Sequence, residues 1–382
     1  MTPRIVLAPD KFKGSLSAGE VAEALATGIR RVRPDADIRW VPVADGGEGT
    51  VDAAVAAGFD CTTVEVEGPT GQPVRTAFAH NGTVAVVEAA GACGLSRLPG
   101  GVLAPLTATS RGVGRLLLDA LDTGCRTVVL GVGGSACTDG GAGMLAGLGA
   151  ILLDANGRPV GPGGGALAHA AYLDLHRLDS RIHEVDLVLA SDVDNPLLGT
   201  HGAAAVFGPQ KGAGTSELAV LEAGLTHWSH LVAQRTGHDT SDRPGAGAAG
   251  GIGFAAIAVL GARRSGGIDL MLDLVGFDRG LEGANLVVTG EGSLDEQTLH
   301  GKAPAGVAAR AAKAEVRTIA VAGRLLLDET QLRAAGFAAA YPLTALEPNL
   351  RRCQDEAAGL LQRLGELIAR EQLTAPATGR TP

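Results

Sequence analysis

Aromatic and charged side chains are both scarce in this chain. Of 382 residues, 3% are aromatic and 19% charged, against 46% hydrophobic. Any core must therefore be packed from Val, Leu, Ile and Ala, and the composition is that of a globular chain rather than a disordered one. A formal net charge of −9 with so few aromatics excludes the basic, aromatic-lined groove of a nucleic-acid binder and any general attraction to an anionic membrane. The five cysteines (Cys61, Cys93, Cys125, Cys137 and Cys353) are odd in number and form no Cys-x-x-Cys pair. They read as reduced thiols, not as a disulfide framework. No apolar run is long enough to span a bilayer, and the start Met-Thr-Pro-Arg lacks a signal-type apolar core. A cytoplasmic protein with no nucleic-acid or membrane partner is expected. Two familiar catalytic loops are also missing. Gly301-Lys302 is no Walker A motif, because Glu296 stands where the upstream glycine is required. There is no Gly-x-Ser-x-Gly elbow.

Glycine is what the chain has in excess. Its 57 glycines are about twice the usual share and cluster without a three-residue period, which excludes collagen and implies many tight loops. The chain is organised around Gly131-Val-Gly-Gly-Ser-Ala-Cys-Thr-Asp-Gly-Gly-Ala-Gly143. An apolar run, Thr127–Leu130, precedes it and Met144–Ala150 follows, so it reads as strand, glycine loop, helix. Backbone N–H groups of such a loop and the helix N-terminus suit an anion, most often phosphate. Ser135, Thr138 and Asp139 add polar side chains suited to ligand or metal contacts.

Taken in order, Ile5–Ala8 is a buried strand, and Ser17-Ala-Gly-Glu20 is a capping box opening a helix with Val21, Leu25, Ile29 and Val32 on one face. Ile38–Val43 is a strand leading to Ala44-Asp-Gly-Gly-Glu-Gly-Thr50 and a small-residue helix. This βαβα order predicts a parallel sheet with ligands at the strands' carboxyl ends. Residues 62–66, 74–78 and 83–87 then alternate, with Asn81-Gly82 as a type I′ hairpin signal. Val185–Ala190 and Leu286–Val288 are strands, followed by Ser191–Leu197 and Thr289–Thr298. A helix near 303–313 and strand 318–322 restore the βαβ pattern. The expected fold is α/β: a discontinuous parallel-sheet domain, 1–60 and 285–382, with a mixed α/β domain, 61–284, inserted. Thr374–Pro382 reads as a frayed tail.

Six strand-end loops carry charge or hydroxyl: Asp10/Lys13/Ser15, Asp45/Glu48, Ser135/Asp139, Asp192/Asn195, Lys211 and Glu291/Asp295/Lys302. Each has an ordinary explanation. Asp10 and Asp45 could cap a turn, Asn195-Pro196 could be only a turn, and Lys211 and Lys302 could be solvated. Six together suggest a polyanionic substrate with a metal, the mixture that phosphoryl transfer needs. A rival reading is a nicotinamide-dependent oxidoreductase, since Gly131-x-Gly133-x-x-Ala136 with Asp154 on the next strand resembles a dinucleotide fingerprint. Asp139 beside a pyrophosphate speaks against it. A third reading is a non-catalytic hydroxy-acid-binding protein. His227 and His230, at helical spacing, read as a surface face.

The motifs APDKFKGSLSA (8–18), ADGGEGT (44–50), GPTGQPV (68–74), ATSRGVG (108–114), GVGGSACTDGGAGM (131–144), SDVDNPL (191–197), FGPQKGA (207–213), PGAGAAGGIG (244–253), TGEGSLDEQT (289–298) and GKAP (301–304) occur in one order. In them the chain resembles the bacterial glycerate kinases of type I, from Ile5 to about Ala322. It departs at Cys137-Thr138, where that family commonly has Thr-Asn. The resemblance implies ATP- and Mg²⁺-dependent phosphorylation of D-glycerate, typically to 2-phosphoglycerate. It also implies two α/β domains around a cleft, one flavodoxin-like; a homodimer stays open. Within it, chemistry suggests Asp192, Lys13 and Asp45 as catalytic residues. Ser15, Asn195 and Lys302 are candidate substrate contacts. Gly133, Gly134, Ser135, Thr138 and Lys211 would face nucleotide phosphates, and Asp45 with Glu291 or Asp295 would hold Mg²⁺.

Overall fold

The computed structural model describes residues 2–300 and 302–373, so the tail from Thr374 lies outside the described residues. Its strands are β1 (Arg4–Pro9), β2 (Asp37–Trp40), β3 (Asp60–Glu67), β4 (Pro73–His80), β5 (Val84–Glu88), β6 (Thr127–Gly131), β7 (Ile151–Asp154), β8 (Ala170–Asp174), β9 (Asp186–Ala190), β10 (Arg263–Ser265), β11 (Leu286–Leu294), β12 (Thr318–Leu325) and β13 (Phe337–Pro342). Two compact units form, one from the residues up to 44 and from 268 onward, the other from 45–267. The division drawn from sequence, at 60/61 and 284/285, assigns Thr50–Ala56 to the first unit. That helix instead packs on β4 and β5 of the second.

The first unit is a five-stranded sheet in the order β13-β12-β11-β1-β2, with every pair parallel. In strand-number terms within the unit this is 2-1-3-4-5, the flavodoxin-like doubly wound order. β1 shows why it forms. Ile5 and Leu7 face one core with Val21, Leu25 and Leu361, while Val6 and Ala8 face another with Val307 and Phe277. A strand buried on both faces reads as a continuous apolar run, as Ile5–Ala8 does. The expected capping box is present: Ser17 Oγ accepts from the Glu20 N–H at 3.3 Å, and Glu20 accepts from the Ser17 N–H at 2.8 Å. Helix Ala18–Val32 lies against helix Ala357–Gln372, and a Cβ on Gly28 would sit 1.9 Å from the Gln362 carbonyl oxygen. The C-terminal stretch forms two helices, Leu350–Asp355 and Ala357–Gln372.

The second unit carries a six-stranded mixed sheet, β10-β9-β6-β5-β4-β3. β10, β9, β6 and β5 are parallel, and β4 and β3 antiparallel. The 73–88 hairpin exists, but its turn is not type I′. Gly82 alone is left-handed, at φ +81°, while the Asn81 side chain accepts from the Thr83 and Val84 N–H groups and sets the turn. β7 pairs antiparallel with β8 in a separate two-stranded sheet. Among the described residues no helix is long and apolar enough to cross a membrane.

Candidate functional site

In the 45–267 unit, β6 and β9 are parallel neighbours in register, Gly131 opposite Ala190. The loops that follow them therefore leave the same edge of the sheet, the edge at which α/β proteins bind ligands. The 45–47 segment joins them because glycine allows it. A Cβ on Gly133 would stand 2.7 Å from Gly47 Cα, and one on Gly131 would stand 2.4 Å from the Gly46 carbonyl oxygen. These segments enclose a cavity of about 200 Å³. Asp45, Gly133, Gly134, Ser135, Asp192 and Lys211 all line it, with Ala248 and Ala249 as a further wall. Asp192 is held by the Gly267 N–H, which donates to its Oδ1 at 2.7 Å, and Asp45 Oδ1 accepts from the Gly47 N–H at 3.1 Å.

The glycine loop is tied from behind. Leu95 N–H donates to the Gly134 carbonyl at 3.0 Å and Ala136 N–H to the Cys93 carbonyl at 2.7 Å. Gly134 is left-handed, at φ +74°, and exposed. The N–H groups of Gly133 and Gly134 have no hydrogen-bond acceptor among the described residues. Unspent backbone donors at a strand end are what an anion site requires.

Lys211 is not a solvated loop cation, being only 2% exposed. Its Nζ donates to Ser135 Oγ at 3.1 Å and to the Cys137 carbonyl. Burial lowers the Lys211 pKa, while Cys137, Cys93 and Asp139 nearby act in the opposite direction. Cys137 and Cys93 lie with sulfurs 3.7 Å apart, and their contact together with burial raises the Cys137 thiol well above its ordinary range.

The helix after the loop differs from expectation. It spans only Ala142–Gly147, and its first N–H groups are already used. Asp139 accepts from Gly141 N–H at 3.1 Å and Gly143 N–H at 3.3 Å, and also from the Ser110 N–H and hydroxyl. Burial raises the Asp139 pKa and these donors pull it back. Asp139 thus joins two helix starts inside the protein instead of facing a ligand. Ser110, its main partner, was not singled out from sequence, although the 108–114 motif contained it. Thr138 is fully buried, does not line the cavity, and its hydroxyl has no partner among the described residues. Asn195 Nδ2 donates to the His201 carbonyl at 2.8 Å, a turn-stabilising bond. The dinucleotide fingerprint also fails structurally. Asp154 ends β7, which is not in the sheet of β6, and its carboxylate accepts from the Asn156 and Arg158 N–H groups.

The other unit has its own switch point, between β1 and β11. Asp10 N–H donates to the Gly290 carbonyl at 2.8 Å, which fixes the 10–16 loop there. Lys13 is exposed, and Ser15 Oγ donates to the Gln354 carbonyl at 2.8 Å. The Thr289–Leu294 stretch expected as loop is strand, because β11 runs on beside β12. Glu291 is consequently 8% exposed; it accepts from Thr298 Oγ1 at 2.6 Å and pairs with Lys302 at 3.4 Å. Asp295 accepts from the Gln297 N–H at 3.0 Å and from Ser293 Oγ at 3.3 Å. No cluster of three or more His, Cys, Asp or Glu suited to a metal occurs among the described residues. His227 is consistent with this, its ring nitrogen bonding the Ala170 carbonyl.

A doubly wound sheet and a second α/β unit define the class as α/β, and in the second unit unspent glycine N–H groups stand beside two carboxylates, an arrangement suited to a small anion. Comparison with known proteins narrows this class. The chain matches the glycerate kinase family over residues 5–373. It is 45% identical over 370 residues to a glycerate kinase of Bacillus subtilis (strain 168), covering 96% of this chain and 97% of that one. It is 43% identical over 341 residues to the glycerate 2-kinase of Escherichia coli (strain K12), covering 88% and 90%. A crystal structure from Salmonella typhimurium LT2, described as a candidate glycerate kinase 2, superimposes with TM-score 0.83 at 41% identity over 97% of this chain and 98% of that one. The chain belongs to the glycerate kinase family and is an enzyme. The oxidoreductase and non-catalytic readings are set aside by this membership.

Proposed function

We propose that the protein transfers the γ-phosphoryl group of ATP to the 2-hydroxyl of D-glycerate, with Mg²⁺. The observation that carries this reading is the cavity where the Gly133 and Gly134 N–H groups, Ser135, Asp45, Asp192 and Lys211 meet, with the Lys211 ammonium bonded to Ser135. Phosphoryl transfer needs little covalent help from protein; it needs charge placed around phosphate and an oriented nucleophile. The glycine loop and Ser135 supply donors to phosphate oxygens. Asp192, its carboxylate fixed by the Gly267 N–H, orients the glycerate hydroxyl and takes its proton.

Mg²⁺ fits Asp45 better than Glu291. Magnesium bound with a nucleotide is commonly held by one or two carboxylates plus phosphate and water. Asp45 lines the cavity, whereas both Glu291 oxygens are engaged by Thr298 and Lys302. When bound, the ion would neutralise charge on the phosphate oxygens. Lys13, Ser15 and Lys302, at the β1/β11 end of the first unit's own sheet, are proposed separately as contacts for a carboxylate or phosphoryl group. A cytoplasmic location goes with this reading; a homodimer remains a separate proposal, tested by sedimentation.

The test is ADP release from ATP with D-glycerate, L-glycerate or no acceptor, each with Mg²⁺ and with excess chelator. The reading expects release only with D-glycerate and Mg²⁺. Release that ignores the acceptor, or no release from folded protein, would contradict it.

A further inference from the structure

We infer that Lys211 acts on the bound anion through Ser135, fixing that hydroxyl as a donor into the cavity instead of touching phosphate itself. The inference deepens the nucleotide-phosphate reading of this cavity and rests on it. A lysine ammonium has three donors and no acceptor. In the 3.1 Å contact between Lys211 Nζ and Ser135 Oγ the serine oxygen must therefore accept. A second Lys211 donor goes to the Cys137 carbonyl. Ser135 keeps its own proton, and no acceptor for it occurs among the described residues. Ser135 is 4% exposed and lines the cavity, so that proton has the cavity as its outlet. Lys211 lines the same cavity but is only 2% exposed, and two of its three donors are committed to Ser135 Oγ and the Cys137 carbonyl. The arrangement is a relay of polarity: ammonium to serine oxygen, serine proton to anion.

The relay depends on charge. A neutral amine can accept as well as donate, and would then draw the Ser135 proton away from the cavity. The titratable groups around Lys211 are Cys137 and Asp139 of the glycine loop and Cys93 at the end of helix Ala89–Cys93, with Asp45 and Asp192 also lining the cavity. Lys211 is a positioning residue, and its effect on anion binding should pass through one hydroxyl.

The experiment is a double-mutant cycle on the full-length chain, Lys211→Met and Ser135→Ala, read as ADP affinity by calorimetry with melting curves as a fold check. Ser135→Ala should weaken ADP roughly ten- to a hundredfold, the range for a charge-assisted hydrogen bond. Lys211→Met should cost markedly less in the Ser135→Ala background than in the wild type. Equal costs in both backgrounds would overturn the relay and leave the kinase reading standing if the wild type still turns over D-glycerate. Wild-type protein that neither binds ADP nor turns over would overturn both. A second arm avoids the lysine variant, which removes a buried charge and can disturb folding. Above about pH 8, where ADP is fully ionised, wild-type affinity should fall as Lys211 loses its proton, and Ser135→Ala should lose most of that fall. The same pH dependence in both proteins would contradict the inference.

Discussion

Two glycine-rich strand ends carry charge in this molecule, and they use it in opposite ways. After β6, the 131–143 loop keeps its acid inside: Asp139 accepts from Ser110, Gly141 and Gly143. Its cation, Lys211, is buried against Ser135, and the N–H groups of Gly133 and Gly134 are left for a ligand. Along β11, the 290–302 segment buries an acid, Glu291, and satisfies it locally with Thr298 and Lys302. In one segment the polar groups not consumed by the fold face a cavity; in the other the buried charge is answered by its own neighbours. The two segments also differ in composition, with six glycines and one charged residue in 131–143 against three glycines and four charged residues in 290–302, but composition does not say which charge is already answered. What separates them is which partners the fold has already supplied.

The largest effect should come from the carboxylate that faces the cavity. Asp192→Asn is expected to lower turnover about 10²- to 10⁴-fold with the melting temperature nearly unchanged, measured as ADP release. Near-normal turnover would break the distinction between cavity-facing and fold-facing acids. Asp139→Ala should do the reverse and act first on folding. It strands the Ser110, Gly141 and Gly143 donors in the interior, and a loss of about 3–5 kcal/mol is expected from denaturant unfolding. A variant of full stability but no activity would move Asp139 to the ligand side.

Smaller effects sharpen the contrast. Ala249 lines the cavity with φ +52°, a conformation glycine adopts freely. Ala249→Gly should change stability by no more than about 1 kcal/mol, because relief of strain offsets the added chain entropy. Thermal melts check this. The smallest effect is expected at Glu291, whose pKa burial raises against the pull of Thr298 and Lys302. The native protein then holds this proton to higher pH than the unfolded chain. Stability should therefore fall as pH rises from about 4.3 through the folded value. Glu291→Gln should flatten that part of the stability profile, read by urea midpoints across pH. An unaltered profile with abolished turnover would place Glu291 in the chemistry.

Much of the fold was legible because its strands are unbroken apolar runs and its first helix is opened by a capping box. Ile5–Ala8 and Val185–Ala190 could hardly be anything else. β8, β10 and β13 were not legible: Ala170–Asp174, Arg263–Ser265 and Phe337–Pro342 are short, polar or alanine-rich and exist through pairing. The site was legible as a set of motifs but not as an arrangement. No local signal distinguishes Asp139 from Asp192, since one finds Ser110 29 residues upstream and the other the Gly267 N–H 75 residues downstream. The N–H groups that Asp139 occupies were expected at a longer helix, and their capture follows from the fold alone. Lys211 gave no sign of burial either, because its partners Ser135 and Cys137 are brought to it by packing.

Glycerate 2-phosphorylation is tested most directly by phosphorus NMR of the protein with ATP, Mg²⁺ and D-glycerate. The γ-phosphate signal should be lost while ADP and 2-phosphoglycerate resonances grow together. A 3-phosphoglycerate resonance in place of the second, or ATP left intact by folded protein, would contradict it.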